Sequence, residues 1–212
     1  MSKSSIAILG VVVLAAAGLV YLGIAADGGP AAGGQAAIMT AEDHVKGNRE
    51  AMVVLVEYSD FQCPACAAYY PLVKKIAEDY ANDVAIVYRH FPLQQHRQAV
   101  AAAQAAEAAA NQGRFWEMHD MLFEHQGEWS GNANAAELFA GYAAAIGLDG
   151  DQYRRDVEAS AGRDRAQEDF QSGRAAGVNA TPTFFLNGQR IVGPQSYSEF
   201  AALLDEAIAQ NR

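Results

Sequence analysis

The only cysteines of this 212-residue chain, Cys63 and Cys66, are separated by Pro64 and Ala65. Thiols at this spacing can close a small disulfide ring, pass that disulfide to other thiols, or supply half of a metal site. Position along the chain favours the second of these. Residues 51–58 form a short β-branched apolar run of the kind that makes a buried strand, and helical spacing follows Cys66. A thiol at the first turn of a helix faces unpaired N–H groups and the positive end of the helix dipole. Its pKa therefore falls below the free value of about 8.5. Pro64 suits the first helical position, where a missing N–H costs nothing. Cys63 is then expected to be the exposed nucleophile and Cys66 the buried thiol that resolves a mixed disulfide. A zinc or copper site would need more ligands, and the histidines at 44, 90, 96, 119 and 125 do not stand at metal-site spacing from the pair. An inert structural disulfide is the remaining alternative. On the redox reading no metal and no organic cofactor is expected, because the cysteine pair carries the electrons.

The elements that must hold this pair follow from periodicity. After the motif, Tyr69, Leu72, Val73, Ile76 and Tyr80 recur at helical steps, and Pro71 is expected to kink that helix. A second strand is predicted over 84–88, completing a right-handed parallel βαβ unit. From about 95 to 176 nothing reads as strand. An alanine-rich helix ends at Gly113, an amphipathic one covers 115–126, a third stops at Gly147, and one or two polar helices close at Gly177. Phe115, Trp116, Met118, Met121, Leu122 and Phe123 are expected to pack this block, some of them bordering an apolar groove beside the cysteines. His119 and His125 are expected at a solvated or core-edge position. Arg163, Asp164, Arg165, Glu168 and Asp169 read as a solvated, salt-bridged helix face. Thr183–Leu186 and residues 190–192 flank Asn187-Gly188, a hairpin signal. A final helix starts near Ser196, with Glu199 completing a capping box and Phe200, Leu203, Leu204 and Ile208 as its buried face.

Composition narrows the function classes. Hydrophobic residues make up 51% of the chain, enough for a core, and the formal charge of −10 argues against nucleic acid as a partner. Residues 6–26 carry no charge and would span about 31 Å as a helix, close to the thickness of a bilayer core. They are read as an N-terminal transmembrane anchor, or else as a signal segment. Residues 27–42 are read as a flexible glycine-rich linker and 43–212 as the working domain. All the basic residues except Lys3, and every acidic residue, lie beyond Ala26. The positive-inside rule therefore sends the domain to the extracytoplasmic side, where disulfides persist.

Here a resemblance becomes specific. Residues 54–66, VLVEYSDFQCPAC, resemble the active-site segment of the DsbA-like thiol–disulfide oxidoreductases of the thioredoxin superfamily. Residues 88–92 (YRHFP), the downstream Phe115-Trp116 and residues 177–184 (GVNATPTF) agree with it, and the resemblance covers roughly 43–210. It implies an α/β thioredoxin fold carrying an inserted all-helical subdomain. It implies that Pro182 is the cis-proline facing the disulfide, that Thr181 contacts Cys63, and that Glu57 is a buried acid relaying a proton to or from Cys66. The implied partners are thiols or disulfides of exported proteins and a membrane redox protein, with oxidation as the leading direction; reductase or isomerase action and an anchored binding module or metallochaperone are the alternatives. Ala65 stands where the strong oxidases of the family have histidine, which implies a milder oxidant. A monomer is expected, since the linker is too short and glycine-rich to be a dimerisation region.

Overall fold

The computed structural model describes residues 38–211. The expected anchor over 6–26 and most of the linker lie outside the described residues. Among those described, no helix is long and apolar enough to cross a membrane.

Five strands form one sheet in the order β1-β3-β2-β4-β5. They are β1 (His44–Gly47), β2 (Val53–Ser59), β3 (Val84–His90), β4 (Thr183–Leu186) and β5 (Gln189–Ile191). β2 and β3 are parallel, with Glu57 opposite Tyr88, and the other pairings are antiparallel. Helix α1 (Pro64–Asp79) makes the crossover between β2 and β3 and runs on through Pro71 as one element. Between β3 and β4 lie α2 (Ala99–Ala110), α3 (Phe115–Glu124), α4 (Gln126–Trp129), α5 (Ala135–Ala145), α6 (Gly150–Glu158) and α7 (Ala161–Ala175); α8 (Tyr197–Gln210) ends the fold. This is the expected α/β frame with its helical insertion.

Both faces of the sheet are covered, which is why β3 is buried along its whole length. Val53, Leu55, Ile86 and Phe184 pack against Val73 and Ile76 of α1 and Phe200 and Leu204 of α8. Val56, Tyr58, Val87 and Phe185 pack on the other face with Phe91, Val178 and Phe170 of α7. In the insertion, small side chains let helices approach closely. Ala102, Ala105, Ala106 and Ala109 of α2 join a core with Met118, Leu122, Phe139 and a fully buried Trp129, whose indole N–H donates to the Leu122 carbonyl at 2.8 Å.

Four expectations need correction. β1 was not foreseen, because HVKG has a single apolar residue and becomes a strand only by pairing with β3. The buried stripe of α1 includes Tyr70 and Ala77, while Tyr69, Leu72 and Tyr80 sit at its margin, since the helix packs on the insertion as well as on the sheet. The expected salt bridging at Arg165 and Asp169 is present, but it runs inward, with Arg165 only partly exposed. Asp169 is buried, and Arg165 bridges it (2.9 Å) to Asp43 (3.3 Å), which itself takes a two-pronged contact from buried Arg89 at 2.9 and 2.7 Å. The amphipathic stretch 115–126 breaks at His125 into α3 and α4. The hairpin is as expected, one residue earlier in β5: Asn187 (φ 47°) and Gly188 (φ 79°) both adopt the left-handed backbone that its turn demands.

Candidate functional site

Cys63 is the N-cap of α1, with extended backbone (φ −72°, ψ 122°), and Pro64 begins the helix. The turn from β2 is tied down at every step. The Cys63 N–H donates to the Asp60 carbonyl at 3.0 Å, and the Ala67 N–H donates to the Cys63 carbonyl at 3.1 Å. The buried Asp60 carboxylate accepts from the Gln62 N–H (2.7 Å), the Leu93 N–H (2.8 Å) and His96 Nδ1 (2.7 Å). The insertion then clamps the turn from above. Gln126 Nε2 donates to the carbonyls of Phe61 (2.6 Å) and Cys63 (3.0 Å). Gln62 Nε2 donates to the Ser130 carbonyl (2.6 Å) while its Oε1 accepts the Gln98 N–H (2.6 Å). Sequence reasoning missed Asp60, Gln62, Gln98 and Gln126. Polar residues carry no periodic signal, and their role exists only once the loop and the insertion meet.

Both cysteines are free thiols and both are buried. Cys63 is 6% exposed, so it is not the open nucleophile expected, because the clamp and the 181–183 loop close over it; Cys66 is 0% exposed. Pro64 and Ala65 between them face solvent. Cys63 Sγ donates to the Thr181 carbonyl at 3.5 Å, and the Thr181–Pro182 peptide is cis. Thr181, Pro182 and the cysteine pair are therefore brought together. The Cys63 thiol is held well below its ordinary pKa. A hydrogen bond from Cys66 contributes most, and the Thr181 side chain and the N–H groups of Cys66 and Ala65 add to it against the opposing effect of burial. Cys66 is pushed well up by its burial and by the neighbouring Cys63 and Glu57 charges. The two thiols are thus made unequal by position alone.

Glu57 projects from the centre of β2 on the face that carries α1, and only 5% of it is exposed. Burial raises its pKa to about 7, with the Ser59 hydroxyl offsetting part of the effect. It lines a cavity of about 20 Å³ together with Lys46, Lys74, His119 and Asp120, room for about one water molecule. His119 is a core-edge residue, buried among Phe61, Tyr88 and Trp116, and bonded to Asp120 at 2.9 Å. His125 is half-exposed and pairs with Glu128 at 2.8 Å.

The family model described as Thioredoxin matches residues 39–206. The chain is 43% identical over 171 residues to a protein of Salinispora arenicola (strain CNS-205) named Na(+)/H(+) antiporter NhaA 1, covering 80% of this chain and 25% of that one. The chain thus spans about a quarter of the length of the curated relatives it matches. Among solved structures, α-DsbA1 of Wolbachia pipientis superposes with a TM-score of 0.75 at 20% identity, over 84% of this chain and 96% of that one, a likeness of fold. A thioredoxin-like oxidoreductase from Silicibacter pomeroyi DSS-3 superposes with a TM-score of 0.64 at 26% identity, over 82% and 95% of the two chains.

Proposed function

The chain belongs to the thioredoxin family and has the fold of the DsbA-like thiol–disulfide oxidoreductases, and from that premise we propose that it exchanges disulfides with exported proteins through Cys63 and Cys66, in the oxidising direction. The observation that carries this reading is the inequality of the two thiols. Cys63 caps a helix with its thiolate favoured, while Cys66 behind it is wholly buried and its thiolate disfavoured.

In the proposed cycle a substrate thiolate attacks Sγ of Cys63 in the Cys63–Cys66 disulfide. The S–S bond breaks and Cys66 leaves, taking a proton from Glu57, whose raised pKa keeps that proton available near neutral pH. A second substrate thiolate then attacks the substrate sulfur of the mixed disulfide. Cys63 leaves as the stabilised thiolate, and the substrate carries away the new disulfide. The loop at Thr181 and Pro182, with the Thr181 carbonyl turned to Cys63, offers backbone polar groups beside the reacting sulfur for the substrate chain. Two electrons remain on the dithiol until a membrane redox partner removes them. The cysteine pair is the redox centre of this cycle, with no other cofactor. We further propose that residues 6–26 anchor the protein in the membrane and that the glycine-rich 27–42 segment tethers the domain on the extracytoplasmic side. Ala65, solvent-facing between the cysteines, supports the second reading, a reductase or isomerase.

Alkylation of the reduced protein across pH tests the first claim. The expected result is one rapidly reacting thiol, Cys63, whose rate titrates well below pH 8; a rate that titrates only at about 8.5 refutes an activated thiolate. Equilibration with glutathione gives the direction. A potential well above about −270 mV, the thioredoxin value, supports oxidation, and one at or below it supports the reductase.

A further inference from the structure

Outside the redox centre, three side chains with metal-binding atoms converge from three elements: His44 of β1, His90 at the end of β3 and Glu107 of α2. We propose that they form a binding site for a divalent transition-metal ion of the zinc class, distinct from the cysteine pair.

The placement follows from sheet register. His44 lies opposite Tyr88, so His44 and His90 project from the same face, two residues apart along β3. Both turn Nε2 to a single oxygen, Oε1 of Glu107, at 2.6 and 2.8 Å, and the donor atoms all lie within 4.8 Å of one another. Two imidazoles and a carboxylate are a set that zinc takes, leaving a fourth position for water or another ligand. Glu107 is the sole charged residue of a helix otherwise built from alanine and one each of valine and glutamine. A carboxylate costs free energy in such a seam unless positive charge answers it.

A tetrahedral ion with bonds of about 2.0–2.1 Å needs N···O separations of about 3.3 Å, so each imidazole must withdraw by a little over half an ångström. The His44 ring lies parallel to Phe115, with centroids 3.6 Å apart and planes 8° off, so a shift within its own plane would keep that stacking. His44 and Glu107 are 16% and 13% exposed and form the outer side of the site, whereas His90, 1% exposed, forms the inner side. Bound there, the ion would join β1, β3 and the insertion. His90 also packs against Phe61, two residues before Cys63, which places the site behind the active-site turn.

The test uses the full chain with Cys63 and Cys66 oxidised to a disulfide, so that sulfur cannot ligate, and Co(II) as the probe. One equivalent is expected to bind saturably, with visible d–d absorption and no sulfur-to-cobalt charge transfer, and Zn(II) is expected to displace it. Loss of second-shell groups commonly weakens metal sites by about 10–100-fold, so removing a ligand should cost at least about 100-fold. Glu107→Gln removes the carboxylate. His44→Gln removes a partly exposed ligand on an edge strand, and near-ultraviolet circular dichroism verifies that each variant is folded. Absence of saturable Co(II) binding to the wild-type chain overturns the proposal, as does binding unchanged in a folded His44→Gln variant. This result does not depend on the direction or rate of disulfide exchange.

Discussion

Replacing Glu57 by Gln isolates the energy stored in one buried carboxyl. Gln keeps the shape and polarity of the side chain but cannot ionise. In the folded protein burial lifts the Glu57 pKa from its ordinary 4.5 to about 7. In the unfolded chain the carboxyl ionises near its ordinary value. At about 1.4 kcal/mol per pH unit, the gap amounts to about 3 kcal/mol. The sign follows from which state holds the proton more tightly. Below pH 4.5 the carboxyl is neutral in both states and the wild-type protein has its full stability. As pH rises from 4.5 to 7 the unfolded state ionises freely while the folded state resists, so stability is lost; above 7 the loss is complete. Glu57→Gln has no such loss. The stability of the variant relative to wild type should therefore climb by about 3 kcal/mol between pH 4 and pH 8. Urea denaturation of the reduced full chain at half-unit pH steps measures this, and the difference between the two proteins cancels the groups whose titration Glu57 does not influence. A difference that stays flat within about 1 kcal/mol across that window refutes the claim that Glu57 is desolvated, and with it the proton relay to Cys66.

Arg89→Met removes the two-pronged guanidinium contact to buried Asp43, leaving it only Arg165 at 3.3 Å and the Thr40 N–H, and should destabilise by about 3 kcal/mol, read from denaturant midpoints. Gly173→Ala should cost about 1–3 kcal/mol, since a Cβ there would meet Phe91 ring carbons at 2.8 and 2.9 Å and Tyr58 Cδ1 at 2.9 Å; unchanged thermal stability would mean that α7 packs less tightly on the sheet. Gln126→Ala strips both hydrogen bonds that fasten the Phe61 and Cys63 carbonyls to the insertion. It should cost about 1–3 kcal/mol and change the alkylation rate of Cys63, and a variant matching wild type in both would show that the clamp does not position the thiol.

Much of the frame was legible because it rests on local rules. The β-branched run before Cys63, Pro64 at the first helical position, the Asn187-Gly188 turn and Ser196 accepting from the Glu199 N–H at 3.3 Å each follow from a few neighbouring residues. Long-range polar contacts were not legible. Asp169 and Arg165 have the composition of an exposed helix face, yet Asp43 and Arg89, remote in sequence, draw them inward. β1 exists because β3 offers it a free edge.

The chain by itself pointed to Cys63 and Cys66 as the proposed reactive pair, because only two thiols exist and the residues around them dictate a strand followed by a helix. It could not determine how accessible or how unequal those thiols would be. That was decided when the insertion settled over the turn, Thr181 came against Cys63, and Cys66 and Glu57 were shut away from water. The physical reason is range. Backbone propensity and helix-end electrostatics act within a turn of helix, whereas desolvation of a thiol or carboxyl depends on every element packed around it.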